Sequence, residues 1–311
     1  MVQNMNGVRH FLQGSLWNRY LDLAIKKCPS FLTPSSNYIT FYSVSKFFKH
    51  SLLLFILSIL FSSCRKQESY PDVQVFGHAG MGMDIGMSAF HDNSLEAVEL
   101  ALSLPTMDGV EVDVRMSKDG TLWLYHENKL EAHTDGFGCI FEKTDEELEK
   151  VRYKSLHREK LARLDQIWPL LGTKQQLILD LKHWNECTAG YVDMALFQDA
   201  IYALPIQYRE RIILDSSNPN WLAQISQDFK VVFSTVTFEE GLKQLEKVPT
   251  LAGLMMRSKD ITAEQIAALK AMNKESYIFE MRSSKKQRAA LQKQPSAILA
   301  DDPRGALVIR D

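Results

Sequence analysis

From residue 176 onward, short apolar runs alternate with stretches of helical periodicity. Strand-type runs cover 176–181, 211–215, 230–234, 251–256, 276–281 and 297–300, with helix-type stretches at 193–203, 219–226, 238–246, 262–272 and 284–292 between them. An unbroken apolar run of strand length marks a strand buried on both faces, and strand–helix alternation predicts a parallel sheet with right-handed crossovers. The rhythm begins upstream with a strand at 73–77, a glycine-containing loop at 81–86 and an amphipathic helix at 95–102 behind the capping pair Asn93-Ser94. It then breaks. Strands at 109–115 and 121–126 are joined directly by Ser117-Lys118-Asp119-Gly120, with no helix between them. Short helices are predicted at 145–149 and 164–171, the second with Pro169 in its early turns. The pattern as a whole predicts an α/β fold, a TIM-type β/α barrel with a hairpin irregularity in its N-terminal half.

The irregular hairpin also carries the first chemistry. Strand alternation places Glu111 and Asp113 on one face. A simple hairpin sets Met116 opposite Thr121 and Glu111 opposite His126, so two carboxylates and an imidazole meet. Polar groups on apolar strands need a reason to be there, and a divalent-metal site with an acid/base beside it supplies one. Glu-x-Asp alone is common on strands, and a strand-end histidine is usually structural. Here, however, the strand at 73–77 runs into His78, and the strand at 176–181 ends in Asp180-Leu181-Lys182. Ionisable residues closing several separate strands is the pattern of a barrel with its site at the carboxyl ends. Arg115 shares the face of Glu111 and Asp113 and reads as a structural partner near the barrel's other end.

The motifs His78-Ala-Gly80, Asn93-Ser-Leu-Glu-Ala97, Glu111-Val-Asp-Val-Arg-Met-Ser-Lys-Asp-Gly120, His126-Glu127 and Asp180-Leu-Lys182 occur in that order, and the closing Ser296-to-Pro303 stretch follows. This series, from about Val73 to Arg310, resembles the glycerophosphodiester phosphodiesterase family. The resemblance implies a phospholipase C-like phosphodiesterase barrel that hydrolyses glycerophosphodiesters to glycerol 3-phosphate and an alcohol. It implies one divalent cation, Ca²⁺ or Mg²⁺, on Glu111, Asp113 and Asp180, an oxygen-rich set that suits a hard cation better than Zn²⁺. His78 and His126 are the implied acid/base pair, and Lys182 is a point-charge phosphate contact. The substrate's own glycerol hydroxyl is the implied first nucleophile, giving a cyclic phosphate that water opens.

The chain departs from the family pattern at several positions. Ala79 stands where the family has a phosphate-binding arginine, His91-Asp92 replaces Pro-Glu, and Asp180 is one methylene shorter than the usual glutamate. Glu127 follows His126 in place of aspartate, and Phe279 stands where an aromatic is expected on the strand 276–281. The missing arginine leaves the phosphate short of positive charge. Arg282, just past that strand, is the expected replacement, with Arg257 in reserve. Two other readings stay open: a lipid-anchored, non-catalytic phosphodiester-binding relative, and a phospholipase-like enzyme acting on intact lipid.

The N-terminal segments read separately. Residues 46–63 hold a basic flank, an apolar run at 52–61 and small residues before Cys64, which fits a secretory signal and not a spanning helix. Cys64 after two serines resembles a bacterial lipoprotein processing site, with Cys64 as lipid carrier, 64–72 as tether and 73–311 as the barrel. Residues 1–45 suit no signal peptide and read as a non-native extension. The expected location is the bacterial cell envelope, on the periplasmic or surface side, with membrane attachment through the lipid. A net charge of −2 argues against nucleic acid as a partner. Cys139 and Cys187 are able to pair after export but are expected to be free and partly buried; His91 reads as a rim residue, and His133, His157 and His183 as surface or packing residues.

Overall fold

The computed structural model describes residues 68–83 and 88–311; the extension at 1–45, the signal at 46–63 and Cys64 lie outside the described residues. In chain order the strands are β1 (Gln74–Gly77), β2 (Gly109–Met116), β3 (Leu122–Leu124), β4 (Ala162–Arg163), β5 (Gln176–Leu181), β6 (Trp184–Asn185), β7 (Gly190–Tyr191), β8 (Ile212–Ser216), β9 (Lys230–Ser234), β10 (Gly253–Arg257), β11 (Glu275–Phe279) and β12 (Ala297–Ala300). The helices are α1 (Leu95–Leu102), α2 (Asp145–Leu148), α3 (Met194–Tyr202), α4 (Pro219–Ile225), α5 (Phe238–Lys247), α6 (Ala263–Ala271), α7 (Ser284–Gln292) and α8 (Pro303–Arg310). Side chains of Ser94, Asp193, Asn218, Thr237, Thr262, Ser283 and Asp302 each accept a backbone N–H at a helix start. Each such cap is worth about 1 kcal/mol.

Eight parallel strands close into a barrel, in the order β1-β12-β11-β10-β9-β8-β5-β2, with β2 pairing back to β1. The barrel expected from the hydrophobic pattern is present. Alternate residues fill its interior: Phe76, Ile178, Ile213, Val232, Met255, Tyr277, Ala297 and Leu299 pack against one another. The intervening positions face the helices in the outer core. β2 differs from the other strands. Its inward positions are Gly109, Glu111, Asp113 and Arg115, and a Cβ on Gly109 would lie 1.9 Å from the Gln176 carbonyl oxygen. Glycine is therefore what lets β2 and β5 pair there.

Three expectations need correction. The hairpin is shifted by one residue: Met116 pairs with Leu122, not Thr121, so Glu111 has no partner on β3. The cause is tertiary, because Asp145 at the start of α2 accepts bonds from the Ser117 and Thr121 hydroxyls and the Trp123 indole. These bonds favour a five-residue connection. Arg115 is not at the far end of the barrel. β2 runs toward the mouth, so Arg115 lies beyond Asp113, nearer the carboxyl end. Cys139 and Cys187 are not free but disulfide-bonded, because the β6–β7 hairpin brings Cys187 to the loop before α2. That hairpin gives no clear period-2 signal in the sequence. The 164–171 segment is helical as expected but of 3₁₀ type, Leu164–Leu170, and α8 follows the closing strand.

Candidate active site

The mouth is assembled by register. His78 follows β1 between Glu111 of β2 and Asp301 after β12, the strands that flank β1. Its Nδ1 lies 2.7 Å from Asp301 Oδ1, and its Nε2 lies 4.0 Å from Glu111 Oε2. Asp301 also accepts the Met281 N–H at 3.0 Å. Ala79, in the position of the family arginine, is fully buried with φ +48, and its N–H donates to Glu111 Oε2 at 2.9 Å. Asn93 holds Asp113 by both ends: its amide donates to Asp113 Oδ2 at 2.7 Å and its carbonyl accepts the Asp113 N–H at 2.9 Å. Asn93 has φ +57, a left-handed conformation that asparagine tolerates better than most residues.

Asp113 and Asp180 are register partners on β2 and β5, and Lys182 bridges them, its Nζ 2.9 Å from Asp113 Oδ1 and 2.6 Å from Asp180 Oδ2. One carboxylate oxygen from each of Glu111, Asp113 and Asp180 lies within 4.8 Å of the others. Asp215 on β8 extends this row as the register partner of Asp180, and Ser234 donates to it.

Charge at this cluster is unevenly balanced. Burial alone would lower the His78 imidazole, but its bond to Asp301 and the charges of Glu111, Asp301 and Asp113 outweigh that and push it up to about 9. Burial and the Asp113 charge push Glu111 well above the usual carboxylate range, against the pull of His78. Asp113 is driven upward by burial, yet Lys182 and His126 hold it at about 2. Burial and Asp180 raise Asp215 well above its ordinary value. Carboxylates thus outnumber the cations beside them, a balance that a bound cation would correct.

His126 sits beyond β3, with Nδ1 2.9 Å from Glu127 Oε1 and a side chain 40% exposed. It lines a cavity of about 340 Å³ together with Asp180, Lys182, Arg115 and Trp184. On its other side a cavity of about 230 Å³ is lined by His126, Glu127, His91, His133 and Arg282. Arg282 thus lines a cavity that His126 also lines. Arg257 instead pairs with Glu280 at 3.4 Å and lines an apolar part of the mouth with Met255 and Phe279. His183 is buried, stacked on Tyr191 and within 3.3 Å of Ser216 Oγ, which is the packing role expected of it.

The structure thus gathers His78, Glu111, Asp113, Asp180 and Lys182 at one point, with His126 lining the cavity that Asp180 and Lys182 line and Arg282 lining the second. Sequence reasoning gave no role to Asp215, to Asp301 as the partner of His78, or to Asn93 as the clamp on Asp113. Asp215 carried the same signal as Asp180, an acid closing an apolar strand.

A closed β/α barrel with carboxylates, lysine and histidine at the carboxyl ends of its strands has the layout of an enzyme mouth. The Glycerophosphoryl diester phosphodiesterase family matches residues 78–292, and the chain belongs to that family. A glycerophosphodiester phosphodiesterase of Caldanaerobacter subterraneus subsp. tengcongensis is 28% identical over 133 residues, 41% of this chain and 53% of that protein. The chain thus spans about half the length of this curated relative. Among solved structures, an Oleispira antarctica phosphodiesterase in complex with the product sn-glycerol-3-phosphate superposes with a TM-score of 0.62 at 19% identity, covering 76% of this chain and 96% of that one. A glycerophosphodiester phosphodiesterase of Agrobacterium tumefaciens gives 0.62 at 18% identity, with 76% and 99% covered.

Proposed function

We propose that this protein is a metal-dependent phosphodiesterase that hydrolyses glycerophosphodiesters to glycerol 3-phosphate and an alcohol. The observation that carries the reading is the convergence of Glu111, Asp113 and Asp180 beside His78 and Lys182 at the barrel mouth. An all-carboxylate donor set fits a hard divalent cation, Ca²⁺ or Mg²⁺. The protein bonds already made to these oxygens do not forbid it, because each carboxylate oxygen has a second lone pair. Such a cation supplies Lewis-acid polarisation of a phosphoryl oxygen.

The chain's own residues carry the proton transfers. His78, its Nδ1 held by Asp301, is the general acid that delivers a proton to the leaving alkoxide. His126, which lines the cavity with Asp180 and Lys182, takes the proton from the glycerol hydroxyl as that oxygen attacks phosphorus. Water then opens the cyclic phosphate with the two roles exchanged. Lys182 holds Asp113 and Asp180 and offsets phosphate charge. Arg282 stands in for the arginine absent at Ala79.

Export and anchoring through Cys64 belong to the same reading, placing the protein in the bacterial cell envelope. The Cys139–Cys187 disulfide supports it, since such bonds persist in oxidising compartments.

The test is hydrolysis of glycerophosphocholine by purified protein beginning at residue 64, following choline and glycerol 3-phosphate with and without EDTA. Turnover that chelation abolishes and added Ca²⁺ or Mg²⁺ restores is expected; turnover indifferent to EDTA, or none with any glycerophosphodiester, refutes the reading. His126→Ala should lower kcat by roughly 10²–10⁴-fold. Arg282→Ala should raise KM while calorimetric cation affinity stays unchanged.

A further inference from the structure

His78 and His126 are held in very different ways. His78 is tied to β12 by its backbone N–H, which donates to Ala300 O at 3.1 Å, and its ring is fixed by buried Asp301. His126 lies past the last paired residue of β3, and its ring contacts Glu127, itself 39% exposed. A catalytic base needs its position fixed to within a fraction of an ångström of the reacting proton. Neither the sheet nor the Glu127 contact supplies that for His126.

The guanidinium of Arg115 does. Arg115 rises from β2 two residues beyond Asp113, on the same inward face, and is only 9% exposed. Its Nη2 donates to the backbone carbonyl of His126 at 2.7 Å and to Asn128 Oδ1 at 3.2 Å. Its Nη1 donates to the Trp184 carbonyl at 3.1 Å, on the segment that follows Lys182. One rigid fork therefore joins the strand bearing Glu111 and Asp113 to the loop bearing His126 and to the segment leading from Lys182. Both segments line the 340 Å³ cavity. Lysine, a point charge on a flexible stem, cannot span the same three acceptors.

We infer that Arg115 is the positioning residue of His126: it sets the distance from the imidazole to the carboxylate cluster and so controls proton transfer through that imidazole. The inference rests on the acid/base reading of His126. Its test is a double-mutant cycle of Arg115→Lys and His126→Ala, read by kcat with glycerophosphocholine. Arg115→Lys keeps the charge near the carboxylates, so calorimetric cation affinity and KM should stay close to wild type. Its kcat should fall on the order of 10²-fold, the scale of a misplacement of about 1 Å. In the His126→Ala background the same substitution should cost at most about 3-fold, since residues acting as a unit are non-additive. Guanidinium at millimolar concentration should restore part of the kcat of Arg115→Ala; if that variant does not fold, the lysine cycle decides alone.

Equal losses in both backgrounds, or wild-type kcat in Arg115→Lys, overturn the inference. Failure of guanidinium to raise the activity of folded Arg115→Ala does so as well. If His126→Ala itself keeps wild-type turnover, the acid/base reading fails first, and Arg115 has nothing to position.

Discussion

Replacing Asp301 with asparagine keeps the shape of the side chain that orients His78 and removes its charge. In the wild type the imidazole Nδ1 and Asp301 Oδ1 are 2.7 Å apart, both side chains are largely buried, and His78 is held at about 9. A hydrogen bond to a charged group contributes about 1.5–3 kcal/mol, which corresponds to roughly 1–2 pKa units. Asp301→Asn should therefore bring His78 down from about 9 toward roughly 7–8. The folded pKa lies above the ordinary 6.5 of an unfolded histidine, so the stabilisation is complete below pH 6.5 and is lost as pH rises through about 9. The full wild-type effect is about 3 kcal/mol, shrinking to about 1–2 kcal/mol in the variant. The assay is urea denaturation of EDTA-treated protein from pH 6 to 9.5, with the His78 Cε1–H resonance followed by NMR. The wild type should lose stability over this range and Asp301→Asn should lose less, mostly below pH 8. Parallel stability curves for the two proteins, or a wild-type imidazole titrating near 6.5, refute the reasoning.

Asn93→Ala removes both bonds to Asp113 and places alanine at φ +57. A loss of about 2–4 kcal/mol in urea denaturation is expected, together with weaker cation affinity by calorimetry. Reducing the Cys139–Cys187 disulfide, which closes a loop with a sequence separation of 48, should cost about 2–4 kcal/mol, seen as a lower thermal midpoint. Cys64→Ser should abolish acylation of the membrane fraction; mass spectrometry finding intact residues 1–63 on the mature wild-type protein would exclude the lipoprotein assignment.

Much of the architecture was legible because strand and helix periods are local properties. An apolar run of five or six residues commits both faces of a strand to burial, and repetition of such runs between helices leaves few topologies. The expected strands at 73–77, 176–181, 230–234 and 297–300 agree with β1, β5, β9 and β12 to within a residue. The same alternation placed Glu111 and Asp113 on one inward face, and parallel strand direction brought Asp180 and His78 to the same end. Those residues were readable as a group because strands of one hand and one direction must end together.

What remained hidden depends on closure of the barrel. Register between β2 and β3 was decided by Asp145, which takes the Ser117, Thr121 and Trp123 donors from more than twenty residues away in sequence and lengthens the turn by one residue. Asp301 became the partner of His78 only when β12 closed against β1, across a sequence separation of 223. The disulfide formed because a hairpin with no periodic signal carries Cys187 to Cys139. Ala79 shows the division most clearly. The sequence reveals that the arginine is missing, and the fold shows its replacement enclosed, with the backbone N–H turned to hold Glu111. Period and composition determine which face a residue occupies. Which groups meet across that face is set by strand register and chain closure, which are energies of the whole barrel and of no single segment.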